Sequence, residues 1–137
     1  MNPSLVGSEM CIRDRSYRHA WIVSQPNETI SNFVAENALY HHDLETGEKR
    51  SYSFGPDLVG GELVFVPRTP DAEEADGWLL GLVINAKNDT TQLQFFEALD
   101  IEQGPIGAVH IPHRIPPGFH GNWIPDYPGL IINNDKG

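Results

Sequence analysis

The chain has 137 residues, one Cys and a formal net charge of −10. This length suits a single domain with a buried core. Nineteen acidic against nine basic residues exclude a nucleic-acid-binding surface. One Cys excludes both a disulfide framework and a four-cysteine zinc site, and no apolar run reaches the roughly 18–20 residues of a membrane helix.

The first 15 residues differ from the rest of the chain. They show no helical period, no strand alternation and no secretory signal pattern. Residues 4–15, SLVGSEMCIRDR, resemble the peptide that is read when sequencing-adapter DNA is translated. We therefore predict that residues 1–15 are a non-native leader and exclude them, with Cys11, from functional reasoning. The alternative is a genuine disordered N-terminus.

The rest of the chain predicts short strands and no helix. Runs rich in β-branched and aromatic residues alternate with turns rich in Gly, Pro and Asn, which is typical of all-β sandwiches, barrels and propellers. Residues 78–86 lack alternation and predict a strand buried on both faces. Residues 129–137 predict a frayed tail. The predicted strands are residues 17–24, 38–44, 49–54, 62–66, 78–86, 91–98 and 106–111.

His120 is the first candidate for chemistry. It lies between Gly118 and Gly121, which allow close approach of the backbone, and it follows two prolines that stiffen the chain. Such a loop could aim one imidazole at a fixed point, as a metal ion requires. The alternative is a packed histidine in a turn.

Glu62 is the second candidate. It follows Gly60 and Gly61 and precedes the apolar residues 63–66. A metal-bound imidazole usually donates its second N–H to a carboxylate or carbonyl, which fixes the ring and raises its basicity. Glu62 could serve in this way, and the alternative is a solvated carboxylate at the start of a strand.

The other histidines fit packing or surface positions. Consecutive residues on a strand face opposite sides, so His41 and His42 cannot bind one metal without a bulge. Near Pro112, an irregular backbone could bring His110 and His113 together, and with His120 and Glu62 they would form a compact cupin-like metal domain. The acidic residues 71–76 lack the spacing of a calcium loop and predict a solvated loop.

Five blocks between residues 17 and 123 resemble one known family. They are YRHAW at 17–21, HHDLETG at 41–47, GGE with VFVPR at 60–68, DGW at 76–78 and RIPPGFHGNW at 114–123. The chain resembles the C-terminal part of the carotenoid oxygenases, which include carotenoid and apocarotenoid cleavage dioxygenases, lignostilbene dioxygenases and the retinoid isomerase of the retinal pigment epithelium. The amino-acid sequences of these blocks are typical of a bacterial source.

The resemblance implies an all-β fold in which residues 16–128 form the last two to three blades of a seven-bladed, antiparallel β-propeller. In the family, four histidines hold Fe(II) on the propeller axis and three glutamates orient the imidazoles. His120 falls on the last histidine ligand, and Glu62 falls on the glutamate that pairs with it. His19, His41, His42, His110 and His113 match no ligand position.

The resemblance also implies an activity. The intact enzyme would be a non-haem Fe(II) dioxygenase that uses O₂ to cleave a conjugated double bond of a carotenoid, apocarotenoid or stilbene-like substrate into two carbonyl products. The three other histidines would lie upstream, so we expect this chain alone to be inactive. We expect a cytoplasmic protein, with peripheral membrane contact in keeping with an apolar substrate. The alternatives are a stand-alone β-rich binding module and the cupin-like domain.

Overall fold

The computed structural model describes residues 4–6, 17–24, 37–116, 118 and 120–125. One turn of 3₁₀ helix, Ile101–Gln103, lies between the last two strands of the described chain. The predicted tail, residues 129–137, lies outside the described residues. The strands are β1 (Ser4–Val6), β2 (His19–Ser24), β3 (Ala38–Asp43), β4 (Lys49–Ser53), β5 (Leu58–Pro67), β6 (Gly77–Asn85), β7 (Thr90–Glu97) and β8 (Gly107–Ile111).

The strands form two four-stranded antiparallel sheets. Sheet 1 has the order β1-β2-β3-β4 and sheet 2 the order β5-β6-β7-β8, so each strand pairs with its neighbour in sequence. A four-stranded antiparallel meander is the blade unit of a β-propeller. The predicted all-β class is confirmed, and two successive blades agree with the predicted last two to three. The described residues contain no helix with the length and hydropathy needed to cross a lipid bilayer.

Strand β1 lies inside the segment that the sequence predicts to be a non-native leader. It pairs with β2 through Ser4–Val23, Leu5–Ile22 and Val6–Trp21. The sequence indicates no element here, because three residues are too few to show an alternation. An open strand edge offers unpaired backbone groups to any extended segment within reach. The non-native origin of residues 1–15 stays a prediction.

The hydrophobic core lies between the two sheets. From sheet 1 it takes Trp21, Val23 and Leu39, and from sheet 2 it takes Leu63, Leu79, Val83 and Phe96. Trp21 also donates its indole N–H to the carbonyl oxygen of Ala98 at 2.9 Å, in a buried hydrogen bond. The two sheets are therefore joined by apolar contact and by a directional bond.

Strand β6 corrects one sequence prediction. Leu79 and Val83 are completely buried in the core, whereas Leu80 and Leu82 point to the other face and are partly exposed. The strand is therefore buried on one face only. The prediction of burial on both faces was wrong because the apolar residues of the second face line an open groove, described below.

The acidic residues of the loop at 71–76 are mostly exposed, and two of their carboxylates also make specific contacts. Glu74 Oε1 accepts hydrogen bonds from the backbone N–H groups of Arg18 (2.7 Å) and His19 (2.9 Å), at the start of β2 in sheet 1. Asp76 accepts a hydrogen bond from the guanidinium of Arg68 at 2.8 Å. These contacts join the loop to both sheets, and they depend on long-range proximity that no local pattern reveals.

Candidate metal-ligand site

Glu62 and His120 meet in space although 58 positions separate them in the chain. Glu62 Oε1 lies 3.3 Å from Nδ1 of His120, and Oε2 accepts the backbone N–H of Gly121 at 3.0 Å. The carboxylate therefore holds both the imidazole and the adjoining peptide. This is the pairing that the sequence analysis proposes for the two residues.

A β-bulge places the carboxylate. Gly60 pairs with Val83 and Leu63 pairs with Gly81, so Gly61 and Glu62 together oppose one residue of β6. Such an extra residue increases the local twist and redirects a side chain. The bulge lets Gly60 and Leu63 both face the core, although three positions separate them. Glu62 is left on the face towards His120.

Gly81 provides the room for this bulge. A Cβ built at Gly81 would lie 2.9 Å from the carbonyl oxygen of Glu62, and closer still to the side chain of Leu63. Any larger residue would push β5 away from β6 beside the carboxylate. Sequence reasoning missed this role. The only available signal was an isolated glycine within the apolar run of residues 78–86, which can mark close approach of a backbone.

The imidazole of His120 is accessible. Its side chain is 83% exposed, whereas that of Glu62 is 18% exposed. When Nδ1–H donates to the carboxylate, the neutral imidazole carries its lone pair on Nε2. The arrangement can therefore present one nitrogen ligand to a metal ion and orient it through the carboxylate.

The segment that carries His120 crosses the outer face of sheet 2. We call residues 112–116, 118 and 120–125 the strap. Between the strap and the sheet lies an apolar groove of about 470 Å³ that reaches His120 and Glu62. Its apolar lining includes Val64, Val66, Leu80, Leu82 and Leu93 from the sheet and Ile115, Pro116 and Trp123 from the strap.

The remaining histidines do not join this site. His19 and His41 contact each other, with 3.0 Å between Nδ1 and Nε2, and the ring of His41 stacks on Trp21. The pKa of His41 is lowered to about 4, mainly by burial and also by the nearby His19 and Arg50. His41 is therefore a neutral packing residue at pH 7.

The cupin-like arrangement was wrong. His110 lies on β8 opposite Gln92, and His113 lies in the turn that follows this strand. Across the described ranges, no three His, Cys, Asp or Glu side chains come close enough to hold a metal ion. The regular antiparallel pairing of β8 with β7 keeps His110 in the sheet and away from the Glu62–His120 pair.

Two successive four-stranded blades define a β-propeller protein, and an exposed imidazole held by a glutamate marks its candidate site. Residues 11–125 match the family described as Retinal pigment epithelial membrane protein. This chain belongs to that family. The expected relationship to the carotenoid oxygenases is thereby confirmed.

Relatives within the family are oxygenases. The chain is 35% identical to lignostilbene-alpha,beta-dioxygenase isozyme III of Sphingomonas paucimobilis, over 78% of this chain and 23% of the relative. It is 44% identical to a carotenoid cleavage oxygenase of Mycobacterium tuberculosis, over 64% of this chain and 17% of the relative. The chain thus spans less than a quarter of the length of either protein.

Solved structures agree with this assignment. Lignostilbene dioxygenase from Pseudomonas brassicacearum superposes with a TM-score of 0.71 at 29% identity, over 82% of this chain and 25% of that one. A cobalt-substituted form of the Synechocystis oxygenase abbreviated ACO superposes with a TM-score of 0.68 at 34% identity, over 80% and 22%.

Proposed function

We propose that this chain is the C-terminal part of a non-haem Fe(II) dioxygenase that oxidatively cleaves a conjugated double bond of an apolar substrate into two carbonyl products. The observation that carries the proposal is the contact between Glu62 and Nδ1 of His120. It orients the imidazole for metal binding through Nε2. Family membership supports the activity, and the cobalt-substituted relative supports a metal site.

His120 and Glu62 have separate tasks in this proposal. His120 would hold the metal through Nε2, and Glu62 would accept a hydrogen bond from Nδ1–H and keep the ring in one tautomer. Gly121 N–H fixes the second carboxylate oxygen, so the carboxylate cannot rotate away from the ring. When bound, Fe(II) supplies the activation of O₂, and neutral imidazoles suit this metal while leaving coordination positions open.

The described residues supply a single histidine to such a site. One imidazole cannot retain iron, so the other ligands must come from a longer polypeptide. This chain alone would then be inactive. The chain spans only 17–23% of the relatives named above, which supports its place within a larger enzyme.

The groove beside His120 supports an apolar substrate. Aliphatic and aromatic side chains from the sheet and the strap form most of its wall, and such walls favour apolar ligands. The names of the relatives refer to lignostilbene, carotenoids and apocarotenoids. We therefore propose a polyene or stilbene-like substrate, together with O₂. For the location we propose the cytoplasm, with peripheral membrane contact because such substrates dissolve in lipid.

The test uses the intact enzyme and compares His120→Ala with His113→Ala. We expect His120→Ala to lose both iron and cleavage activity, and His113→Ala to retain both, because His113 takes no part in the site. Full iron content and turnover in His120→Ala would contradict the proposal. Stoichiometric, chelator-sensitive iron in the isolated 137-residue chain would also contradict it. A stand-alone binding module would instead lack further histidine and glutamate blocks upstream in the reading frame.

A further inference from the structure

Thr91 is completely buried on a face of the sheet that is otherwise partly open. Leu93 and Phe95 share this face of β7, and both remain partly exposed. What covers Thr91 is the start of the strap, since Ile115 donates its backbone N–H to Thr91 Oγ1 at 2.9 Å. A polar side chain near the start of β7 thus forms a specific contact with the segment that carries His120.

The far end of the strap is held on another strand. Gly121 donates its N–H to Glu62 on β5, and a Cβ built at Gly121 would lie 3.6 Å from Val64. The strap therefore crosses sheet 2 from β7, over β6, to β5. An ion pair between Arg114 and Asp89 lies near the first anchor, with 3.5 Å between Nη1 and Oδ1. Because both of its side chains are mostly exposed, it contributes little.

The strap is longer than the distance that it crosses. From Ile115 to Gly121 the backbone can extend about 20 Å, whereas two strand spacings amount to about 10 Å. A strap with this slack and a single anchor would let His120 move away from Glu62. The second anchor shortens the free segment and thereby limits this movement.

We propose that Thr91 is a positioning residue for His120. Its hydroxyl fixes the start of the strap, and this fixed start keeps the imidazole in contact with Glu62. The proposal rests on the proposed function in one respect: His120 matters as a ligand only if the intact protein binds a metal. The coupling between Thr91 and His120 can be tested in this chain without any metal.

The experiment measures amide hydrogen exchange in the 137-residue chain, together with the ¹⁵N chemical shift of His120 Nδ1 at fixed pH. Thr91→Val keeps the shape of the side chain and removes the acceptor, whereas Thr91→Ser restores the acceptor. Thr90→Val is the matched control on the opposite face of β7. We expect exchange at Ile115 to rise about tenfold in Thr91→Val. At Gly121 it should rise several-fold, and the Nδ1 shift should change.

Thr91→Ser should return all three signals towards the wild-type values, and Thr90→Val should leave them unchanged. If Ile115 exchanges faster while Gly121 and the Nδ1 shift stay the same, Thr91 is a local anchor only and the proposal is wrong. Slow exchange at Leu79 and Val83 reports an intact core. If Thr91→Val loses this protection, Ile115→Pro replaces it, because proline lacks the N–H that donates to Thr91. Exchange at Gly121 and the Nδ1 shift of His120 are then the signals that test the proposal.

A separate measurement keeps this proposal apart from the proposed function. In the intact enzyme, Thr91→Val should shorten the half-life of bound iron, and Thr91→Ser should restore it. An intact protein that never binds iron would contradict the dioxygenase proposal, whereas the exchange and shift data from this chain would still test the positioning role.

Discussion

Glu62 Oε1 contacts Nδ1 of His120, which leaves Nε2 as the ring nitrogen directed away from the carboxylate. The same carboxylate accepts the N–H of Gly121 through its second oxygen. A charged acceptor with two hydrogen bonds to one loop is a stronger constraint than a neutral acceptor with one. The contribution of the Glu62 carboxylate to holding His120 can therefore be tested by replacing it with a neutral amide.

Replacing Glu62 by Gln should weaken iron retention in the intact enzyme by about 10–100-fold, because the neutral amide holds the imidazole less firmly and lowers its basicity. Iron content after dialysis against a chelator measures the effect. Glu73→Gln also removes one negative charge, but in the exposed acidic loop, and this variant should retain iron. Equal retention by the two variants would contradict a role for the Glu62 carboxylate.

Replacing Gly81 by Ala should damage both the fold and the site. The added methyl group would meet Leu63 and the carbonyl oxygen of Glu62, so β5 and β6 must move apart. We expect a loss of about 1–3 kcal/mol in the free energy of unfolding, measured by urea denaturation, and a loss of iron in the intact enzyme. Gly118→Ala is the control, since, apart from its chain neighbours, no atom of the described residues lies within 4 Å of the Cβ that it would add.

Replacing Trp21 by Phe tests the bond between the two sheets. The variant keeps an aromatic ring and removes the donor to Ala98, whose buried carbonyl then loses this partner. The expected loss is about 1–3 kcal/mol in the free energy of unfolding, measured by circular dichroism in urea. Trp123→Phe, in the exposed strap, should change stability by less. Similar losses in both variants would indicate that the buried hydrogen bond is unimportant.

His41 should make stability depend on pH. Its pKa is lowered from 6.5 to about 4 in the folded chain, and burial is the largest cause. Between about pH 4 and pH 6.5 the unfolded chain binds more protons at this position than the folded chain does. The contribution of His41 to stability is therefore fully present above about pH 6.5 and is lost as the pH decreases towards 4. The full effect is about 3 kcal/mol.

His41→Phe should remove this part of the pH dependence. The check is to compare the free energies of unfolding of wild type and variant in urea at pH 7.5 and pH 4.5. Carboxylates that titrate in the same range affect both proteins, so the difference between the proteins isolates His41. An identical loss of stability on acidification in both would contradict the lowered pKa.

Local patterns predicted most of the strands. The predicted strands at residues 38–44 and 49–54 are joined by a tight turn, in which Gly47 has a φ of +76° and donates its N–H to the carbonyl oxygen of Asp43. Strand β5 begins at Leu58, earlier than predicted, because Gly60 and Gly61, which look like a loop, lie inside the strand next to and within its bulge. A bulge depends on the partner strand, so its position cannot be read from one strand.

The Glu62–His120 pair could be predicted from resemblance, whereas its supports could not. Thr91 and Gly81 act through contacts with segments far away in the chain, and neither lies in a recognisable motif. Alternation indicates which face of a strand a residue occupies, but not which segment will cover that face. The buried hydroxyl of Thr91 therefore had no signal in the sequence.

Three of the four edge strands, β4, β5 and β8, differ in how they would receive a further strand. Strand β4 carries Lys49 and Arg50, and β5 is interrupted by its bulge, and both features discourage edge pairing. Strand β8 has neither Lys, Arg, Asp, Glu nor Pro, and its Val109 is exposed. Of these three edges, β8 is the one most open to pairing with a second copy of the chain, and Val109→Lys would place a charge on it.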